Sequence, residues 1–182
     1  MMKLDLLNQI EFIGNWGYYQ LTQFHIRCND ARATFHTSFA ELKSSDFFLK
    51  SKGFIQGSEM RTDIHSNLSS SFGKHYFDSL SSADYKEMDY EGFMGRLDES
   101  IKNQKNNFSL LRPFFHGRVF ELESEIIPIS IKIIDRNASY FILERSSDDI
   151  GGIGASIWDY FKNFVVFNVK DQVVFRIDMG RD

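Results

Sequence analysis

Two histidines and two arginines, His25, Arg27, Arg32 and His36, carry the residue types of metal-independent phosphodiester chemistry. Imidazoles titrate near neutrality and serve as general acid and base, while guanidinium groups hold phosphate. If Asn29-Asp30 turns the chain between two strands, Gln23, His25, Arg27, Arg32, Thr34 and His36 share one face of a hairpin. Phe24, Ile26, Cys28, Ala31, Ala33 and Phe35 then share the other. Direct pairing sets His25 beside Thr34, with His36 one step further along, so the rings need not converge on one ligand. The same face also reads as solvated surface, or as a contact surface for an acidic partner.

The second candidate is electrostatic. Glu121, Glu123 and Glu125 alternate, so an extended chain projects all three to one side. Such a row is either a solvated, aggregation-resistant strand face or a negative stripe complementing a basic protein. Asp148, Asp149, Asp178 or Asp182 would extend the stripe if the fold brings them near, and Trp158 and Tyr160 are further candidates for a partner interface if the stripe is only a solvated face.

Other chemistry lacks its spacing. The run Gly151-Gly152-Ile153-Gly154 follows a predicted strand, but it has no Lys-Ser/Thr ending, and Asp148 and Asp149 would repel a phosphate. His65, His75 and His116 stand far apart, and no HxH or HExxH pattern exists to hold zinc. Cys28 falls in an apolar set, where a thiol acts as a small hydrophobe. No GxSxG elbow or SxxK motif anchors serine chemistry. The expectation is no catalytic residue set, no metal and no cofactor.

These residues need elements to position them. Leu6, Leu7, Ile10 and Ile13 fall at helical spacing before Gly14, predicting a helix over 3–13. Residues 18–39 predict the hairpin around Asn29-Asp30. Ser38 with Glu41 matches a capping box, predicting a helix over 39–52 closed by Gly53. The serine-rich stretch 58–82 reads as the longest irregular region. Behind Asp89, the stripe Tyr90, Phe93, Met94, Leu97 and Ile101 predicts another helix, with Lys102 and Lys105 near its end. The alternation Ile127, Ile129, Ile131, Ile133, resuming at Tyr140 and Ile142, predicts a second hairpin. A third sets Val165, Phe167 and Val169 against Val173, Phe175 and Ile177 across Lys170-Asp171. Hairpins interleaved with helices, without βαβ alternation, predict an α+β single domain over 1–182: a mainly antiparallel sheet packed by two to four helices.

Composition bounds the function. At 182 residues with 42% hydrophobic and 25% charged residues, the chain is neither disordered nor fibrous. A net charge of −4 argues against a large basic surface for nucleic acid and leaves room for a local basic patch. One cysteine excludes an internal disulfide. Asp5 and Glu11 interrupt any apolar leader or membrane span near the start, so the expected location is the cytoplasm.

In size, mild acidity, single cysteine, aromatic richness (19 Phe) and lack of a catalytic motif, the chain resembles bacterial immunity proteins, cytosolic inhibitors of cognate toxins. The resemblance is one of kind, and no residue role carries over. It implies a non-enzymatic protein, monomeric until bound, that blocks a toxin such as a nuclease by stoichiometric complex formation, with neither nucleic acid nor membrane as partner. Alternatives are a small phosphodiesterase or nucleotide-processing enzyme using the His25/His36/Arg27/Arg32 face, and a phage or regulatory adaptor that binds a host protein.

Overall fold

A computed structural model of the chain describes residues 2–13, 17–28, 30, 32–56, 70–110, 137–145 and 160–181, with the side chains of 12, 13, 104–110 and 181 left aside. It is an α+β domain centred on a six-stranded antiparallel sheet. Its strands are β1 (Lys3–Ile13), β2 (Gly17–Arg27), β6 (Tyr85–Met88), β7 (Ser139–Leu143), β8 (Tyr160–Asn168) and β9 (Val173–Arg181), in the order β1-β2-β9-β8-β7-β6. The N-terminal pair β1-β2 therefore joins the rest of the sheet through β2, which lies antiparallel to β9. A second, three-stranded sheet comprises β3 (Phe54–Ile55), β4 (Ser71–Phe72) and β5 (His75–Tyr76).

Helices cover both faces of the large sheet. On one face α3 (Tyr90–Leu110) buries Phe93, Leu97 and Ile101 against Leu21, Tyr140, Phe164 and Ile177. Asp89 starts this helix, its Oδ1 accepting from the Gly92 N–H at 2.8 Å, so cap and stripe agree with the expected helix. Its end lies later than expected, at Leu110, which leaves Lys102 within the helix. There Lys102 pairs with Asp98 one turn back, at 2.5 Å.

The opposite face is aromatic. Here α1 (Phe35–Lys43) and α2 (Asp46–Leu49) bury Phe35, Phe39, Leu42, Phe47 and Phe48 against Phe24, Phe141, Val165 and Phe167. Phe35 stacks on Phe141 with ring centroids 4.5 Å apart and meets Phe39, Tyr85 and Phe167 edge-on. Each such buried ring contributes roughly 1.5–3 kcal/mol by burial, and favourable ring pairs add to it. The phenylalanine excess is thus concentrated where two short helices must be held on a sheet.

Four expectations need correction. Residues 3–13 form strand β1, not a helix. A bulge between Leu6 and Asn8 puts Leu4 and Leu6 in register with Ile26 and Phe24 on the aromatic face and Ile10 with Leu21 on the α3 face, so the apolar positions mimic a helical period. The hairpin over 18–39 does not form, because β2 pairs with β1 and β9, and the chain enters α1 at Phe35. The capping box belongs to Thr34 and Thr37, while Ser38 is buried inside α1; the expected 39–52 helix is two helices broken at Ser44-Ser45. The β8–β9 hairpin does form, but with Val165 opposite Arg176 and Phe167 opposite Val174. A one-residue difference in register sends Phe175 and Ile177 to the face away from Val165 and Phe167. Of the expected irregular stretch 58–82, residues 70–82 hold β4 and β5, and the rest lies outside the described residues. So do Ile127 to Ile133, although Tyr140 and Ile142 stand in β7 between β6 and β8.

Candidate functional site

The His/Arg set is not assembled. His25 lies on β2 on the α3 side of the sheet, its Nε2 3.2 Å from Gln172 Oε1 and its Nδ1 4.0 Å from Asp5 Oδ2. Arg27 meets the same Asp5 carboxylate at 2.5 Å. His36 sits on α1, its ring edge-on to Phe141 at 5.3 Å, which places it on the aromatic side. Arg32 is exposed in the turn before α1, where its backbone N–H donates to Asp30 Oδ1. Two histidines on opposite faces of one sheet cannot act on one phosphodiester.

Polar groups converge instead inside the aromatic face. Arg176 and Asp178, both fully buried on β9, pair through Nε and Oδ2 at 2.6 Å. Asp178 also accepts from Ser51 Oγ (2.9 Å) and from Asn163 Nδ2 (2.6 Å), while Asn163 Oδ1 accepts from the Tyr85 hydroxyl at 2.7 Å. Arg176 Nη2 donates to Thr22 Oγ1, and the guanidinium lies 5.4 Å from the Phe47 ring centroid. Burial and the Asp178 charge push the Tyr18 and Tyr85 hydroxyls well above the usual tyrosine range, so both stay neutral. This network fastens the loop after α2 to the sheet: Ser51 Oγ accepts from the Gly53 N–H, and Gln20 bridges the Lys50 carbonyl and the Lys52 N–H.

Two solvent-facing places among the described residues bear on function. The first is β1, an edge strand among the described residues, on which Leu6 and Leu7 are 48% and 54% exposed. Charged Lys3, Asp5 and Glu11 flank them, and the bulge falls between Leu6 and Asn8. The second is a recess of about 240 Å³ between α3 and the sheet, lined by Arg96, Glu99, Ser100, Asn103, Tyr160 and Lys162, with Ile142 completing it. The helical members recur at i, i+3, i+4 and i+7, a polar stripe beside the apolar one. That spacing is the one trace of the recess in the sequence, and it matches no catalytic or ligand-binding motif.

Of the expected interface residues, only Tyr160 is described: it opens β8, half-buried, and lines the recess. Glu121, Glu123, Glu125, Asp148, Asp149 and Trp158 lie outside the described residues, as does the glycine run. Asp178, considered as an extension of the stripe, is instead buried in the core. Cys28 is a half-buried free thiol whose Sγ lies 3.5 Å from the Asp30 carbonyl. Among the described residues no three His, Cys, Asp or Glu side chains cluster as metal ligands, and no helix is long and apolar enough to cross a membrane. Comparison with protein-family models, with curated proteins and with solved structures gives no match.

Proposed function

We propose that the chain is a non-enzymatic binding protein that neutralises a cognate toxin by forming a stoichiometric complex, with strand β1 as a contact. The observation that supports this reading is the pair of adjacent exposed leucines on an eleven-residue strand that is an edge of the sheet among the described residues. An edge strand offers free backbone donors and acceptors to a partner strand, and apolar side chains there are a liability unless something covers them. The bulge and the flanking charges hinder indiscriminate pairing with further copies, which favours one shaped partner.

The occupant is a protein with a basic surface. Its complement is the acidic balance of the chain and the row Glu121, Glu123 and Glu125, and a nuclease, whose active-site cleft must attract phosphate, presents such a surface. A host protein bound by a phage or regulatory adaptor would use the same edge and differ only in identity.

The test is co-expression with the product of the neighbouring gene, followed by calorimetry on the purified pair. A 1:1 complex is expected, and Leu6→Lys with Leu7→Lys should weaken it by about tenfold or more, the scale of a central contact. A double variant that folds and binds as tightly as the native chain would remove β1 from the interface. Turnover of a phosphodiester substrate by the purified chain would overturn the non-enzymatic reading.

A further inference from the structure

The recess on the α3 face concerns a different part of the molecule and a small ligand. Lys162 stands on β8 with its side chain half-buried; burial, and next the charge of Arg96, lower its pKa. Among the described residues no carboxylate comes within 4 Å of its ammonium group; Glu144 and Glu99 attract it from further away, and Lys74 adds repulsion. Arg96, across the recess on α3, is held by Glu144 at 2.8 Å and Glu99 at 3.5 Å, and Glu144 is shared with Lys86 at 3.7 Å. Glu144 and Glu99 are thus engaged by Arg96, Glu144 by Lys86 as well, and the cation of the recess left without a close carboxylate among the described residues is the half-buried Lys162.

We infer that this recess binds a small oxyanion, a phosphate or carboxylate group, between Lys162 and Arg96. A half-buried ammonium without a counter-ion is costly, and an anion beside it offsets that cost directly. Ser100, Asn103 and Tyr160 line the same recess, so its walls beside the two cations are polar, as suits an ion with several acceptor oxygens. At about 240 Å³, the recess has room for inorganic phosphate or a short organic acid. Glu99 at the rim opposes the anion but is well exposed, so water screens it.

The experiment is calorimetric titration of the whole chain with inorganic phosphate, with phenyl phosphate and with acetate, at constant ionic strength. Saturable 1:1 binding of at least one is expected; preference for a phosphate or for acetate identifies which group the recess takes. Lys162→Met should weaken binding by about tenfold or more, as should Arg96→Gln, while Glu99→Gln should tighten it. The opposite signs of two neutralising substitutions on one recess separate a built site from diffuse attraction. Lys162→Met removes a desolvated charge, so its melting temperature should hold or rise, which keeps the binding result interpretable. No saturable binding of any of the three, or equal affinity in the native chain and Lys162→Met, would overturn the inference. Neither result bears on strand β1, because none of the recess residues belongs to it.

Discussion

Arg176 and Asp178 stand two residues apart on β9 and form an ion pair at 2.6 Å with no solvent exposure on either side chain. Same-face neighbours on a strand seldom meet so closely unless the surroundings hold both, and here Thr22, Ser51 and Asn163 do so. Removing one partner strands the other charge in an aromatic core. Asp178→Ala should cost about 3–5 kcal/mol, and Arg176→Met a similar amount. The double variant should lose well under the sum of the two, because no lone charge is left buried. Urea unfolding of the four proteins measures this; simple additivity would mean that the pair does not act as a unit.

Two glycines should respond to alanine with opposite signs. Gly73 turns the chain between β4 and β5 at φ +58°, and a Cβ there would stand 2.1 Å from a Phe161 ring carbon. Left-handed backbone costs a non-glycine residue about 1–2 kcal/mol, and displacing a buried ring costs more. Gly73→Ala should therefore destabilise by at least about 2 kcal/mol. Gly95 lies inside α3 on its exposed side, and an added Cβ meets nothing within 4 Å. Gly95→Ala should stabilise by about 0.5–1 kcal/mol. Denaturant midpoints decide both, and a loss at Gly95 would contradict its open surroundings.

What the sequence made legible follows from how many constraints each segment satisfies at once. Helix α3 could be read because one apolar stripe and one cap, Asp89, agree. The β8–β9 hairpin was visible in its apolar runs, but its register was not. Aligning Val165 with Ile177 puts apolar on apolar, whereas the turn through Val169–Gln172 fixes Val165 opposite Arg176. Alternation distinguishes two faces only when one is wet. Here both are covered, and Arg176 and Asp178 look solvent-facing in sequence while Gln20, Thr22 and Asn163 wait for them on neighbouring strands. Strand β1 imitates a helix in sequence for a local reason, since a single bulged residue changes the phase of the alternation. The recess needs α3 and β8, more than fifty residues apart in the chain, so only its helical half leaves a trace in the sequence.

The buried tyrosines set the alkaline limit of stability. Tyr18 and Tyr85 have raised pKa values in the folded chain, chiefly through burial and then through Asp178. In the unfolded chain both ionise near pH 10. Above that point the unfolded state loses protons that the folded state keeps, so stability present below pH 10 declines as pH rises, by about 1.4 kcal/mol per pH unit for each tyrosine. Lys162 works the other way: its lowered pKa penalises the folded state at neutral pH, and the penalty fades as pH rises toward the ordinary lysine value. Unfolding measurements between pH 8 and about pH 11.5 should show a shallow rise or plateau, then a steep fall beyond about pH 10. Tyr85→Phe should flatten the fall by one proton's share, while lowering stability at neutral pH because Asn163 Oδ1 loses its donor. Phenolate absorbance that develops fully before unfolding would show these hydroxyls to be accessible.

The proposed complex makes separate demands on encounter and on residence. The row Glu121, Glu123 and Glu125 lies outside the described residues, and its part rests on charge and spacing alone. Exposed charges steer over about 8–10 Å at physiological ionic strength, so they act before contact. Replacing all three with glutamine should slow association with the cognate toxin, and added salt should slow the native chain more than the variant. Leu6 and Leu7 act only once water has left the interface, so Leu6→Lys with Leu7→Lys should hasten dissociation and change the low-salt association rate less. Stopped-flow kinetics of the two variants against the same toxin resolve this division. If the glutamine variant associates as fast as the native chain at low salt, the row is a solvated face, and attraction to a basic partner must come from other carboxylates, with Asp5 beside the two leucines the first to test.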